Sequence, residues 1–219
     1  MEHHFFAYIS RMKFIQRWGL MRNTMPENDM EHALQTGLIA HAMAVMGNRR
    51  YGRNYQPEYV LALAVYHDSC EVITGDLPTP IKHHNPAIKQ EYNKLEDVAA
   101  NRLLAMLPGD LREYYTPLIA HDESTEEWRL VKAADRICAY IKCLEEKKAG
   151  NLEFEQARKS TKKSIDLVEL PEVQESSDRA QAELARRWPR WAKLTEYLRR
   201  QDLPLFANTE MTYFPTGEE

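Results

Sequence analysis

Apolar residues recur at steps of three and four along most of this chain, and no convincing period-two alternation accompanies them. That spacing puts one dry and one wet face on a helix, so the expected fold class is all-α. Scarce glycine agrees, since 8 in 219 residues leave few of the tight turns a β architecture needs. Phe5, Ile9, Met12 and Ile15 define a first helix, expected to reach about Trp18. Asn28 with Glu31 makes a capping box, opening a second helix through Leu34, Leu38 and Val45 to about Met46. Pro57 suits the first position of a third, which continues through Val60, Leu61 and Ala64 to Glu71. Gly75, Pro78 and Pro80 then end regular structure. Asn85-Pro86 starts a long helix through Leu104, which Pro108-Gly109 breaks. Ser124 with Glu127 forms a second capping box, and the helix it opens runs through Leu144 until Gly150-Asn151 closes it. One more helix is expected from about Leu152 to Leu167.

Several function classes are excluded before any motif is read. A mean hydropathy of -0.61 and the lack of a long apolar run argue against a membrane-spanning chain. The start, Met-Glu-His-His-Phe-Phe, has no basic region followed by an apolar one, so a cytoplasmic location is expected. Cys70, Cys138 and Cys143 are too few for a disulfide framework and form no C-x-x-C pair for a thiolate zinc site. A net charge of -4 and a pI near 6.1 argue against a general nucleic-acid coat. The charge is uneven, because the stretch 176–200 is rich in arginine. It reads as an amphipathic helix with a solvated basic face, nucleic-acid binding being the lesser alternative. Residues 171–178 are polar and contain proline, as a linker would. The expected organisation is therefore a helical domain over 1–170 and a helical extension over 171–219, packed on that domain or on a partner subunit.

The residues able to do chemistry are spread over three helices. His67-Asp68 pairs an imidazole with a hard carboxylate just before the Gly-Asp-Leu-Pro-Thr-Pro loop. His32 lies on the preceding helix. Asp135 interrupts the apolar run of Val131, Ala133, Ala134 and Ile137, where an unpaired carboxylate would be costly. Two imidazoles and two carboxylates suit one divalent ion, such as Mn²⁺, Co²⁺ or Fe²⁺, with positions left for water and substrate.

His32, His67-Asp68 and Asp135 match the H…HD…D signature of HD-domain metal-dependent phosphohydrolases. Further local text makes the match more specific. Arg17-Trp18, the Glu31-His32-Ala-Leu-Gln helix start, His67-Asp68-x-x-Glu71, Gly75-Asp76-Leu77-Pro78-Thr79-Pro80 and Ala139-Tyr-Ile-Lys-Cys-Leu-Glu-Glu resemble the YfbR-type HD-domain 5'-deoxynucleotidases over about residues 4–165. The resemblance implies an HD-domain helical bundle with its metal site between helices. It implies that His32, His67, Asp68 and Asp135 ligate one divalent metal, and that Glu71 holds and activates the attacking water. Arg17 would orient the 5'-phosphate, and Trp18 would crowd the 2' position. Asp76, Leu77, Pro78 and Thr79 would contact substrate, as would Asp68 and Asp135. The implied substrate is a deoxyribonucleoside 5'-monophosphate, and the implied assembly is a homodimer. On a continuous helix Glu71 would share a face with His67 and Asp68. Extra histidines at His83, His84 and His121 leave a second metal as a minor alternative. Lys82 could add attraction for an anion. Two competing functions remain: a triphosphohydrolase on deoxynucleoside triphosphates, and a non-catalytic nucleotide sensor.

Overall fold

The computed structural model describes residues 4–82 and 84–185. Among these, helices and loops account for everything but one isolated antiparallel bridge, between Gln16 and Asn28. The helices are α1 (Phe5–Ile9), α2 (Asp29–Arg50), α3 (Pro57–Tyr66), α4 (Glu71–Thr74), α5 (Thr79–Lys82), α6 (Pro86–Ala105), α7 (Gly109–Ile119), α8 (Glu126–Lys148), α9 (Glu155–Asp166) and α10 (Pro171–Ala185). The all-α class expected from the spacing is what the chain adopts.

The main core lies where α2, α3 and α8 meet. Met43, Leu63, Leu130, Ile137 and Tyr140 are almost fully removed from water there. A second cluster of Phe5, Leu103, Leu104, Leu107 and Ile119 joins α1, α6 and α7. Both halves of the Asn28–Glu31 capping box form, which sets where α2 begins.

Four local expectations are corrected. The first helix stops early: after α1 comes a 3-10 turn over Ser10–Phe14, and the chain then extends. There the Arg17 amide donates to the Glu27 carbonyl at 2.9 Å, and the Asp29 amide to Ile15 at 3.0 Å. Pairing with a distant strand-like segment wins over the local helical period. The third helix also breaks, with a turn over 67–70 before α4. Thr125 rather than Ser124 caps α8, because the Ser124 hydroxyl and amide are both engaged by Asp122. The segment 171–178 is no linker but the first half of α10, with Glu172, Val173 and Ser177 buried. The Tyr55 hydroxyl donates to Glu172 at 2.8 Å, and Arg53 lies 3.4 Å from it. Helix α7 carried no clear periodic signal and was not expected.

Val173→Ala tests that last correction. Its two lost carbons come from a fully buried site, so a destabilisation of about 2 kcal/mol is expected in denaturant unfolding. An exposed linker valine would change stability by less than about 0.5 kcal/mol.

The chain divides into two compact units, Met1–Leu184 and Ala185–Glu219. Nearly all of the second unit, with most of the basic stretch 176–200, lies outside the described residues.

Candidate metal and phosphate site

The capping box places His32 in the first turn of α2, where it is 1% exposed. His67 ends α3, and Asp68 sits in the tight turn that follows, closed by the Glu71 amide donating to the Asp68 carbonyl at 2.9 Å. Asp135 comes from the middle of α8. These three sources converge. His32 Nε2 lies 3.2 Å from Asp135 Oδ1 and 3.7 Å from Asp68 Oδ2. His67 Nε2 lies 3.0 Å from Asp68 Oδ2. Ligand atoms of His32, His67 and Asp135 all fall within 4.8 Å of one another.

The chemistry of this donor set fits a cation. His67 Nδ1 is 2.7 Å from the Ala64 carbonyl oxygen. A carbonyl only accepts, so Nδ1 carries the proton, and the lone pair of a neutral imidazole is on Nε2. That lone pair faces the Asp68 carboxylate without a directed hydrogen bond. Two electron-rich atoms at such a distance repel unless a positive charge lies with them. A backbone carbonyl behind the ring is the usual arrangement that fixes a metal-ligating histidine. Burial alone would raise the carboxyls of Asp68 and Asp135, but charged neighbours reverse this. The Arg17 guanidinium beside it holds Asp68 well below the usual carboxylate range. Lys132, whose Nζ is 2.8 Å from Oδ2, and His32 do the same for Asp135. The apolar setting that made Asp135 conspicuous is thus partly offset by Lys132.

Beside this group lies a second set of carboxylates, Asp29, Asp68 and Glu71, also with oxygens within 4.8 Å of one another. Glu71 therefore meets the site through Asp68 and Asp29, and it opens α4 instead of sharing a helical face with His67. Burial, then repulsion from Asp68 and Asp29, pushes the Glu71 carboxyl strongly upward. Asp29 is fully buried beside Glu71, with the Arg17 guanidinium 3.5 Å from one of its oxygens. Reading the sequence missed it, because its place beside the Asn28 cap looked like ordinary first-turn acid.

Arg17 is the cation among these acids. One Nη atom is 3.1 Å from Asp68 and 3.5 Å from Asp29, and its Nε is 3.6 Å from Glu27. Burial opposes its charge, but Asp68, Asp135, Glu71 and Asp76 outweigh that and keep it firmly protonated. Trp18 follows in the left-handed region, with φ of 59°. A non-glycine residue there costs about 1–3 kcal/mol and persists only when its surroundings hold it. Its indole nitrogen donates to Glu27 at 2.8 Å, and its ring lies 5.2 Å from that of Phe154.

The Gly75–Pro80 loop is also near. Gly75, with φ of 74°, makes the turn that leaves α4. Asp76 is half-buried and feels both Arg17 and His32, although burial is the main force raising its carboxyl. Leu77 and Pro78 are half-buried beside it, and Thr79 opens α5. Lys82 and His121 are engaged by other partners, and Cys70 is a packing residue, as its sequence setting suggested. Lys82 is taken by Glu96 at 2.8 Å and by the Tyr92 ring. Burial pushes the Cys70 thiol up to about 12, which suits a small packing residue and not a nucleophile. His121 stacks on Trp128, with ring centroids 3.5 Å apart. His83 lies outside the described residues.

The family model for YfbR-like 5'-deoxynucleotidases matches residues 4–180. The chain belongs to that family. A 5'-deoxynucleotidase of Vibrio parahaemolyticus is 49% identical over 174 residues, covering 79% of this chain and 90% of the relative. One of Yersinia pestis is 52% identical over 171 residues, covering 78% and 87%. Among solved structures, an HD-domain phosphohydrolase of Listeria innocua superposes with a TM-score of 0.73 at 18% identity, covering 91% of this chain and 98% of that one. The HD phosphohydrolase of cyanophage S-2L, bound to dA and one catalytic Zn²⁺, gives a TM-score of 0.53 at 22% identity, covering 81% and 95%. These two show the HD fold.

Proposed function

We propose that this protein hydrolyses deoxyribonucleoside 5'-monophosphates to deoxyribonucleosides and phosphate. The observation that carries the reading is the facing pair of His67 Nε2 and Asp68, joined by His32 and Asp135, with Arg17 bonded to the same Asp68. A chain about half identical to proteins named 5'-deoxynucleotidase supports the substrate class.

In this reading His32, His67, Asp68 and Asp135 hold one divalent ion of the Co²⁺ or Mn²⁺ type. When bound, such an ion polarises a phosphoryl oxygen and lowers the pKa of water. The protein's own groups do the rest. Arg17 exchanges its carboxylate partners for the phosphate, which its planar guanidinium can grip at two oxygens. Glu71 orients the attacking water and passes a proton toward the departing 5'-oxygen. Trp18 stands against the 2' side of the sugar, where a ribose hydroxyl would clash. Asp76, Leu77, Pro78 and Thr79 line the sugar. The leaving group is the nucleoside oxygen, and no covalent enzyme intermediate is needed.

The same reading takes the protein to be a cytoplasmic homodimer. Among the described residues no helix is long and apolar enough to cross a membrane. Leu34 and Leu38 on α2, 57% and 61% exposed, are suited to a subunit contact. Light scattering on the purified protein would return twice the chain mass.

The functional test is phosphate release from deoxy- and ribonucleoside 5'-mono- and triphosphates, each with Co²⁺, Mn²⁺, Mg²⁺ or chelator. Release from deoxy monophosphates, lost with chelator and restored by metal, is expected. Tripolyphosphate from triphosphates would replace the substrate class, and silence with every metal would favour a nucleotide sensor.

A further inference from the structure

The segment Ala139–Glu146 resembles the family, yet none of its side chains reaches the metal site. Lys142 and Glu146 are instead buried under the loop that follows Trp18, at 4% and 1% exposure. The Glu146 carboxylate gathers donors from that loop. The Thr24 amide reaches it at 3.0 Å, the Thr24 hydroxyl at 2.7 Å and the Met25 amide at 3.3 Å. Asn151 donates to it at 2.8 Å, and Lys142 both pairs with it and donates to the Met25 carbonyl. The Asn151 amide group also donates to the Arg22 carbonyl at 2.8 Å.

This anchor grips a loop that is otherwise exposed, with Gly19, Leu20, Arg22, Thr24 and Pro26 all facing water. At its base the loop is closed by the Arg17–Glu27 backbone bond, beside the strained Trp18. Left to itself, such a loop would sample several positions. A carboxylate that accepts two consecutive amides removes that freedom, and the Phe154 ring packs against that of Trp18.

We infer that Glu146, with Lys142, is a positioning residue: it locks the 21–25 loop so that Arg17 and Trp18 keep the register that recognises a deoxyribose 5'-phosphate. The inference rests on the deoxynucleotidase reading. Glu146 touches neither metal nor substrate, so it acts only through the two residues at the loop base.

The test compares wild type with Glu146→Ala, Glu146→Gln and Thr24→Ala, using deoxyadenosine and adenosine 5'-monophosphates. Thr24 is exposed, so its variant removes one bond with little threat to folding. For Glu146→Ala, KM for the deoxy substrate is expected to rise about tenfold, and the deoxy-to-ribo ratio of kcat/KM to fall at least about fivefold. Glu146→Gln and Thr24→Ala should move the same way by about two- to threefold or more, and the metal concentration for half activity should stay put. These two decide the matter if Glu146→Ala does not fold. Variants that lose melting temperature but keep both KM and the ratio within about twofold of wild type would overturn the inference alone. A wild type with no preference for the deoxy substrate would overturn the parent reading and this inference with it.

Discussion

Asp68→Ala is expected to abolish turnover, lowering kcat/KM by more than about 10³-fold, equivalent to about 4 kcal/mol of transition-state stabilisation. The size follows from how many partners converge on one carboxylate. Asp68 Oδ2 lies within 3.7 Å of both site histidines and 3.1 Å from Arg17. In the proposed site its loss leaves the lone pair of His67 with no anionic neighbour to share a cation with and takes away one hard ligand. Bound metal per chain should fall in parallel, and elemental analysis after gel filtration reads that directly. Folding should survive, because Arg17 keeps Asp29 at 3.5 Å and Glu27 at 3.6 Å. A variant that keeps its metal and its rate would show that Asp68 is no ligand.

Glu71→Gln should have the second-largest effect, of a different kind. Loss of a general acid–base group lowers rate by about 10²–10⁴-fold. Glutamine keeps the shape of the side chain but can no longer move a proton. The expected result is therefore a fall in kcat with KM and metal content near wild type. Glutamine also mimics the uncharged acid that burial and the neighbouring Asp29 and Asp68 favour. Thermal stability should then hold or rise as kcat collapses. That combination separates a chemical role from a structural one, and an unchanged kcat would remove Glu71 from the mechanism.

Much of the site was legible because its parts carry strong local chemistry. His67-Asp68 before a Gly- and Pro-rich loop, and Asp135 in an apolar run, stand out by residue type alone. Arg17, Trp18, Glu71 and Asp76 were singled out only through family resemblance, since an arginine near a helix end looks like any other. Asp29 was not legible at all. Its position after a capping asparagine has a sufficient local explanation, and its burial against Glu71 depends on a residue on another helix. Lys82 was misleading for the mirror reason: its partner Glu96 lies on α6, beyond any local pattern.

Two kinds of physics divide this protein. The 3.6-residue period, the Asn28–Glu31 cap and the helix-breaking prolines act over a few residues, so the all-α class and the donor types needed nothing beyond the sequence. Other features needed the tertiary structure. The helical start of the chain, α1 and its 3-10 turn, goes no further than Phe14 because Ile15 and Arg17 bond to residues 27–29. The stretch 171–178 becomes helix with Glu172 drawn in toward Tyr55. Glu146 closes on Thr24 from 122 residues away. In each case a buried polar group must find a partner, and which partner is near is decided by how the helices pack.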